Sequence, residues 1–430
     1  MILNNKDMKN NIFLALVGKF IGSLGIFIIF SLSAKTLSVN QFANFSLIMS
    51  IFPSFVTLLT FGQDIASSKF LPSLKSNKIL IYNIITTMLF SLSILSIFFF
   101  FFIKAGYIYN IQFDILIYLI FIIIFSSILR AISDYSRAVG KYTNFILFNS
   151  MRSSGGLILW ILFLIFFLYF YKSNSMSVAN IFFSLFISCL ISCLIFFTFN
   201  VSKKSLFNNL KLFISTFSFN KRYTYQSFLL MIYSLIIIVR FDHDIWILNF
   251  VGSKIDVALY TSIIKIASLI MVPMTIFESL IPQKISKFFN EKNFYELENL
   301  IRSISTKIFF LSSAAILAIF FFSNSILYYV FGESFLEASH ALKILALGFI
   351  LPSILGPCSV LLLLTRYQNY LLFVNLFSTL FSFVCGYFMV LNFGYLGMVY
   401  TFLICINLVH LSLYYLTKKL LKIETIPRIF

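Results

Sequence analysis

Eight ionisable residues fall inside stretches of this chain that are otherwise apolar: Lys19, Arg152, Arg240, Asp242, Asp244, Lys265, Glu278 and Lys343. A charge held at the centre of a bilayer costs about 3 kcal/mol or more, so such residues face a protected interior and mark candidate sites. Lys19 and Lys265 each lie about eight residues into an expected span, roughly 12 Å along at 1.5 Å per residue. From that depth an ammonium group reaches the interface only with strain, which places both beside a water-filled cavity. Lys343 lies about one turn inside its helix, and its stem is long enough to extend outward. Arg152 fits either the cavity or the cytoplasmic interface, and Glu278 lies near an inner helix end, within reach of water. Arg240, Asp242 and Asp244 cluster toward the outer end of one span. Arg240 and Asp244 are four residues apart and can pair on one helix face. The two acids could equally balance cavity cations or carry a coupling proton. The deep charges are mostly cationic. Lys and Arg bind phosphate and diphosphate well, so a cavity lined by Lys19, Arg152, Lys265 and Lys343 suits an anionic headgroup. Export of organic cations needs the reverse polarity.

The elements that hold these residues belong in hydrocarbon. The 430 residues are 60% hydrophobic and 11% charged, with a mean hydropathy of +0.99, whereas soluble domains carry about 25% charged residues. Runs such as Ile97–Ile103 are apolar on every side, which only lipid or other buried helices can cover. A net charge of +18 would suit nucleic acid in a soluble chain. Here the cations sit in short connectors, the positive-inside pattern, and nucleic acid is not expected as a partner. Cys189, Cys193, Cys358, Cys385 and Cys405 all fall in apolar stretches without metal-ligand spacing. Cys189 and Cys193, one turn apart, read as packing residues. No P-loop pattern and no catalytic constellation is visible, so neither an enzyme nor a cofactor is expected. Lys6 and Lys9 precede an apolar run too long for a signal-peptide core and interrupted by Lys19, which reads as a retained first span.

At about 20 residues per crossing, the apolar runs predict spans near 11–34, 42–62, 80–103, 115–133, 145–171 and 178–200. Six more follow near 224–249, 257–281, 304–326, 340–364, 371–391 and 398–416. The expected fold is all-α: a polytopic membrane protein with about twelve transmembrane helices in two six-helix lobes. Residues 1–200 form the first lobe, 201–223 a basic cytoplasmic linker with an interfacial character, 224–416 the second lobe and 417–430 a cytoplasmic tail. Most Lys and Arg residues fall on alternate connectors, among them Lys69, Lys141, Lys203, Lys287 and Lys419, with only Lys35, Lys104, Lys172 and Lys254 in the opposite ones. That bias puts both termini in the cytoplasm, in keeping with an even number of spans. Asp64, Asp114 and Asp134 fall in connectors. Gly18, Gly22 and Gly25 beside Lys19 permit close helix contact. Pro53, Pro273 and the Gly356-Pro357 pair lie within spans, where proline removes a backbone hydrogen bond, and are the expected hinges. Phe42-Ala43-Asn44-Phe45-Ser46, opening the second span, parallels Val257-Ala258-Leu259-Tyr260-Thr261, opening the eighth, as two six-helix repeats would.

Three groups of residues carry a family resemblance. The first is Lys19-Phe20-Ile21-Gly22 followed by Ala34-Lys35-Thr36-Leu37-Ser38-Val39-Asn40-Gln41-Phe42-Ala43. The second runs from Phe241-Asp242-His243-Asp244 through Val257-Ala258-Leu259-Tyr260 to Ile281-Pro282. The third is Phe331-Gly332-Glu333-Ser334-Phe335 with Ala338, Ile344-Leu345 and Gly356-Pro357. With these, nearly the whole chain resembles the Wzx-type polysaccharide-export flippases of the multidrug/oligosaccharidyl-lipid/polysaccharide exporter superfamily. The resemblance implies transfer of a polyprenyl-diphosphate-linked oligosaccharide, such as an O-antigen unit, between leaflets of the bacterial inner membrane. It implies alternating access of two lobes around a cationic cavity, and a polymerase and chain-length proteins as pathway partners. Lys19, Arg152, Lys265 and Lys343 take the cavity role by position and charge. A multidrug exporter of the same superfamily should instead hold buried carboxylates in the N-terminal half, where none is expected. A major-facilitator transporter should show a Gly-rich Asp/Arg signature between Gln63 and Lys78. A membrane glycosyltransferase or O-antigen polymerase should show outer-loop acids or a large outer loop. Neither pattern is present.

Overall fold

A computed structural model describes residues 5–62, 113–138, 142–149, 155–172, 176–200, 221–365 and 367–428, and every regular element among them is helical. The span expected at 80–103 and residues 201–220 of the expected linker lie outside the described residues. Seven helices among those described are long and apolar enough to cross a membrane. By contacts the chain forms two compact units, one of residues 1–28 and 51–238, the other of 29–50 and 239–430. Two helices contribute to both units: α1 (Asn5–Thr36) and α7 (Lys221–Val251). A third, α2 (Val39–Thr60), starts in the second unit and ends in the first.

Within the first unit, α3 (Phe113–Ala138) packs on α6 (Val178–Asn200). Small residues make the seam: Ser184, Ser188 and Ser192 are buried, and each hydroxyl donates to the carbonyl four residues back. Such seams let helices approach without leaving polar groups in hydrocarbon. Cys189 lies in it, 3.7 Å from the Ser126 hydroxyl, which is the packing role its spacing suggested. The expected fifth span is not continuous. It divides into α4 (Tyr142–Leu147) and α5 (Leu157–Lys172), with Gly155 at φ +77 just before α5. Trp160 of α5 fills the space left by Gly25, where a Cβ would fall 2.3 Å from the indole. α3 also runs past its expected ends, so Asp114 and Asp134 lie on its first and last turns rather than in connectors.

In the second unit the segment 29–50 is fastened by an aromatic joint. Phe42 is fully buried and meets Phe30, Phe45, Phe331 and Phe335 at centroid distances of 5.5–6.4 Å. Ser31 donates to the Val330 carbonyl at 2.6 Å, Trp246 to Ser50 at 2.9 Å, and Lys254 to Asn44 at 2.7 Å. The helices that open at Val39 and Lys254 begin alike. Ser38 and Gln41 exchange backbone and side-chain hydrogen bonds across α2's first turn, and Ser253 and Asp256 do the same for α8 (Lys254–Ser268). These are two capping boxes at the positions the sequence parallel aligned.

α8 tightens to a 3-10 turn at Leu269–Met271 before α9 (Val272–Leu280), where Pro273 cannot continue the hydrogen-bond ladder. Pro53, by contrast, sits inside unbroken α2. An amphipathic α10 (Pro282–Asn290) leads into α11 (Phe294–Val330), which starts ten residues before the expected span. After a 3-10 turn at Glu333–Ala338 come α12 (Ser339–Gly348), α13 (Ile350–Leu355) and α14 (Cys358–Leu364), with the interruption at Gly356-Pro357 where it was expected. The last element, α15 (Gln368–Leu421), would be about 80 Å long if straight. It turns back at Gly394, so Leu371 packs with Val409 and Leu413, and the element supplies two crossings.

The turn at Gly394 (φ 56, ψ −138) uses backbone space open essentially to glycine. The Tyr395 N–H beyond it donates to Asp256 at 3.0 Å, and a Cβ on Gly394 would lie 2.7 Å from the same carboxylate. Gly394→Ala and Asp256→Ala should each lower the melting temperature in detergent, at a cost of about 1–3 kcal/mol. Because both act on one contact, the double variant should lose less than the sum.

Candidate functional site

The ionisable residues of the second unit are gathered by α7, α8 and α15. Arg240 donates through Nη1 to the Asn375 side-chain oxygen, and its guanidinium lies 5.6 Å from the Phe241 ring centre. One turn on, His243 is 3% exposed, with Nε2 2.7 Å from the Ser382 hydroxyl and 3.0 Å from Asp244 Oδ1. Asp244 is buried too, and accepts a 2.6 Å hydrogen bond from the fully buried Tyr260. Spacing read Arg240 and Asp244 as a pair; in the structure Arg240 donates to Asn375. The carboxylate is committed to Tyr260 of α8 and to its neighbour His243.

Lys265 sits half-buried on α8, with Nζ 4.5 Å from the Phe30 ring centre, a cation–π distance. Asp242, half-buried on α7, is near enough for the two charges to act on each other. Lys343 is half-buried on α12, which packs on α8, and its Nζ lies 5.9 Å from the Phe320 ring centre. Glu278 accepts a 2.7 Å hydrogen bond from Ser359, past the Gly356-Pro357 interruption. Lys19 falls on α1 with its side chain outside the described residues, and Arg152 lies wholly outside them.

Tyr260, His243, Asn375 and Ser382 complete this network and were not assigned from sequence. The signal for two of them was periodic. Asn375, Ser378, Thr379 and Ser382 recur at i, i+3, i+4 and i+7 in an apolar run, and all four are buried. In hydrocarbon such a polar stripe marks the face turned inward, the inverse of a soluble amphipathic helix. His243 stood between two acids that drew the attention. Tyr260, beside Thr261 and Ser262 at a helix opening, gave no sign of its partner, and only the tertiary fold brings its hydroxyl to Asp244.

The arrangement can hold a counter-charged group beside Lys265 and can store or pass a proton along Tyr260, Asp244 and His243. Tyr260→Phe removes a donor from a buried carboxylate and should cost about 1–3 kcal/mol, read as a lower melting temperature. Asp244→Asn should be milder, since the amide oxygen still accepts from Tyr260.

No protein-family model matches the sequence, and no curated protein matches it by sequence. Solved structures do match. A multidrug resistance MATE family transporter of the MOP superfamily in an inward-facing conformation superposes with a TM-score of 0.73 at 13% identity, over 95% of this chain and 97% of that one. Its outward-facing counterpart gives 0.71 at 13%, over 96% and 95%. A MOP superfamily transporter from Pyrococcus furiosus, described as having a binding pocket of reverse polarity that suggests a different function, gives 0.72 at 13%, over 96% and 95%. Identity this low establishes the fold alone. That fold has twelve transmembrane helices in two lobes, so the chain is a multi-pass membrane protein with this architecture.

Proposed function

We propose that the chain is an alternating-access transporter of the bacterial cytoplasmic membrane that moves a polyprenyl-diphosphate-linked oligosaccharide from the cytoplasmic to the periplasmic leaflet. The observation that supports this reading is Lys265. It lies about eleven residues into α8, roughly 16 Å along the helix, against the face of Phe30. A partly dehydrated ammonium attracts phosphate oxygens more strongly than a solvated one. Arg240 and Lys343 add to the positive side within the same unit, and Asp242 and Asp244 offset only part of it. Lys19 and Arg152 are further candidate anion-binding residues in this proposal, by charge and place in the sequence alone. Asp242 balances Lys265 while the site is empty. Its protonation when a diphosphate arrives would let an ion gradient drive the cycle. The polymerase and chain-length proteins that receive the flipped unit would be pathway partners.

A second reading is export of organic cations, favoured by the multidrug exporters among the transporters of similar fold. In it Asp242 and Asp244 would meet the cargo.

The test is reconstitution in liposomes with a fluorescent polyprenyl-diphosphate oligosaccharide and a leaflet-specific quencher, run beside uptake of a cationic dye. The first reading expects sugar-lipid transfer, lost at least about tenfold in Lys265→Ala, a barrier change of about 1.4 kcal/mol, and retained in Lys265→Arg, with insertion unaffected. Dye transport without lipid transfer would establish the second reading instead.

A further inference from the structure

The interruption at Gly356-Pro357 leaves backbone groups that a continuous helix would satisfy, and part of the answer comes from a segment far along the chain. The Thr425 hydroxyl donates to the Leu355 carbonyl at 2.7 Å and lies 3.3 Å from the Cys358 thiol. Thr425 is fully buried, and so is Ile423, which packs with Ile301, Ile304, Leu361 and Leu421. The segment begins where α15 ends, with Lys422 in the left-handed conformation at φ 55.

Further ties bind the segment on both sides of Thr425. Glu424 accepts from Tyr414 at 2.5 Å and pairs with Lys418 at 2.8 Å. Arg302 of α11 donates to the Ile426 carbonyl at 3.3 Å. The Arg428 backbone donates to Thr306 at 3.2 Å, and its guanidinium donates to the Asn299 side chain at 3.0 Å. The segment therefore joins α11, α15 and the break between α13 and α14. Its outer ties at Arg428 and Lys418 are exposed, while its inner one is dry. Gly356 makes room for the arrangement: a Cβ there would fall 2.2 Å from the Ser305 hydroxyl and 3.1 Å from the Thr425 carbonyl.

We propose that Ile423–Arg428 is an intrachain latch on the Gly356-Pro357 hinge. Seated, it shares the Leu355 carbonyl with the Cys358 thiol, which donates to it at 3.3 Å, and holds α14 at the angle seen. Unseated, it exposes that carbonyl and the Cys358 thiol and frees α14 to swing. The exposed outer ties are reversible because solvent replaces them at little cost. The buried Thr425 contact sets how often the latch opens, since local opening follows the weakest cooperative contacts.

Cys358 reports the opening directly. The full chain in membrane vesicles is labelled with N-ethylmaleimide, and the modification of each cysteine is followed by peptide mass spectrometry. Thr425→Val keeps the shape and removes the hydroxyl. It should label Cys358 about five-fold faster, the factor expected for one lost hydrogen bond, with Cys189 of the first unit unchanged. A chain ending at Lys422 should label faster still. A Cys358 rate equal to that of the parent in Thr425→Val, or a rise shared equally by Cys189, would overturn the latch.

Discussion

In hydrocarbon a polar group without a partner costs several kcal/mol, and no water is at hand to supply one. That constraint organises the described parts of this protein. Serine and threonine hydroxyls return to carbonyls on their own helix, as Ser188, Thr261, Thr379 and Thr401 do. Where a helix is interrupted, another element answers. The turn at Gly394 is met by Asp256, which also closes the capping box of α8. The break at Gly356 is met by Thr425. Interruptions of this kind let helices carry function at membrane depth, because the surrounding protein keeps their backbone groups satisfied.

The same constraint explains why charges are grouped rather than scattered. Arg240 has Asn375, Asp244 has Tyr260 and His243, and Lys265 has the Phe30 face and the Asp242 charge. Each group has a partner on a different helix, so the site exists only when α1, α7, α8 and α15 are assembled.

The all-helical, membrane-spanning architecture was legible because a crossing imposes a length and a composition on sequence. The interruption at Gly356-Pro357 was legible for the same local reason: glycine and proline act on their own backbone. The interruption between Leu147 and Leu157 was missed because the flanking residues are apolar enough to read as one span. The end of α3 and the start of α11 were missed because hydropathy marks where hydrocarbon ends and not where helix ends. The motif-like runs proved mainly architectural. Phe42, Phe331 and Phe335 form one aromatic joint, and Ser38, Gln41, Ser253 and Asp256 form two matching caps. The cations Lys265 and Lys343 were visible as charges out of place. Their aromatic neighbours were not, since Phe30 and Phe320 look like any of the 58 phenylalanines until the helices pack.

The proposed function turns on the sign of charge that the interior receives. Ligand binding to the folded state raises its stability with the logarithm of affinity, so purified protein can report that sign without a transport cycle. The direct measurement is the melting temperature in detergent with a short-chain polyprenyl-diphosphate sugar and, separately, with ethidium at matched concentration. A rise with the diphosphate and none with ethidium is the predicted result. A rise with ethidium alone would contradict an interior built for an anionic headgroup.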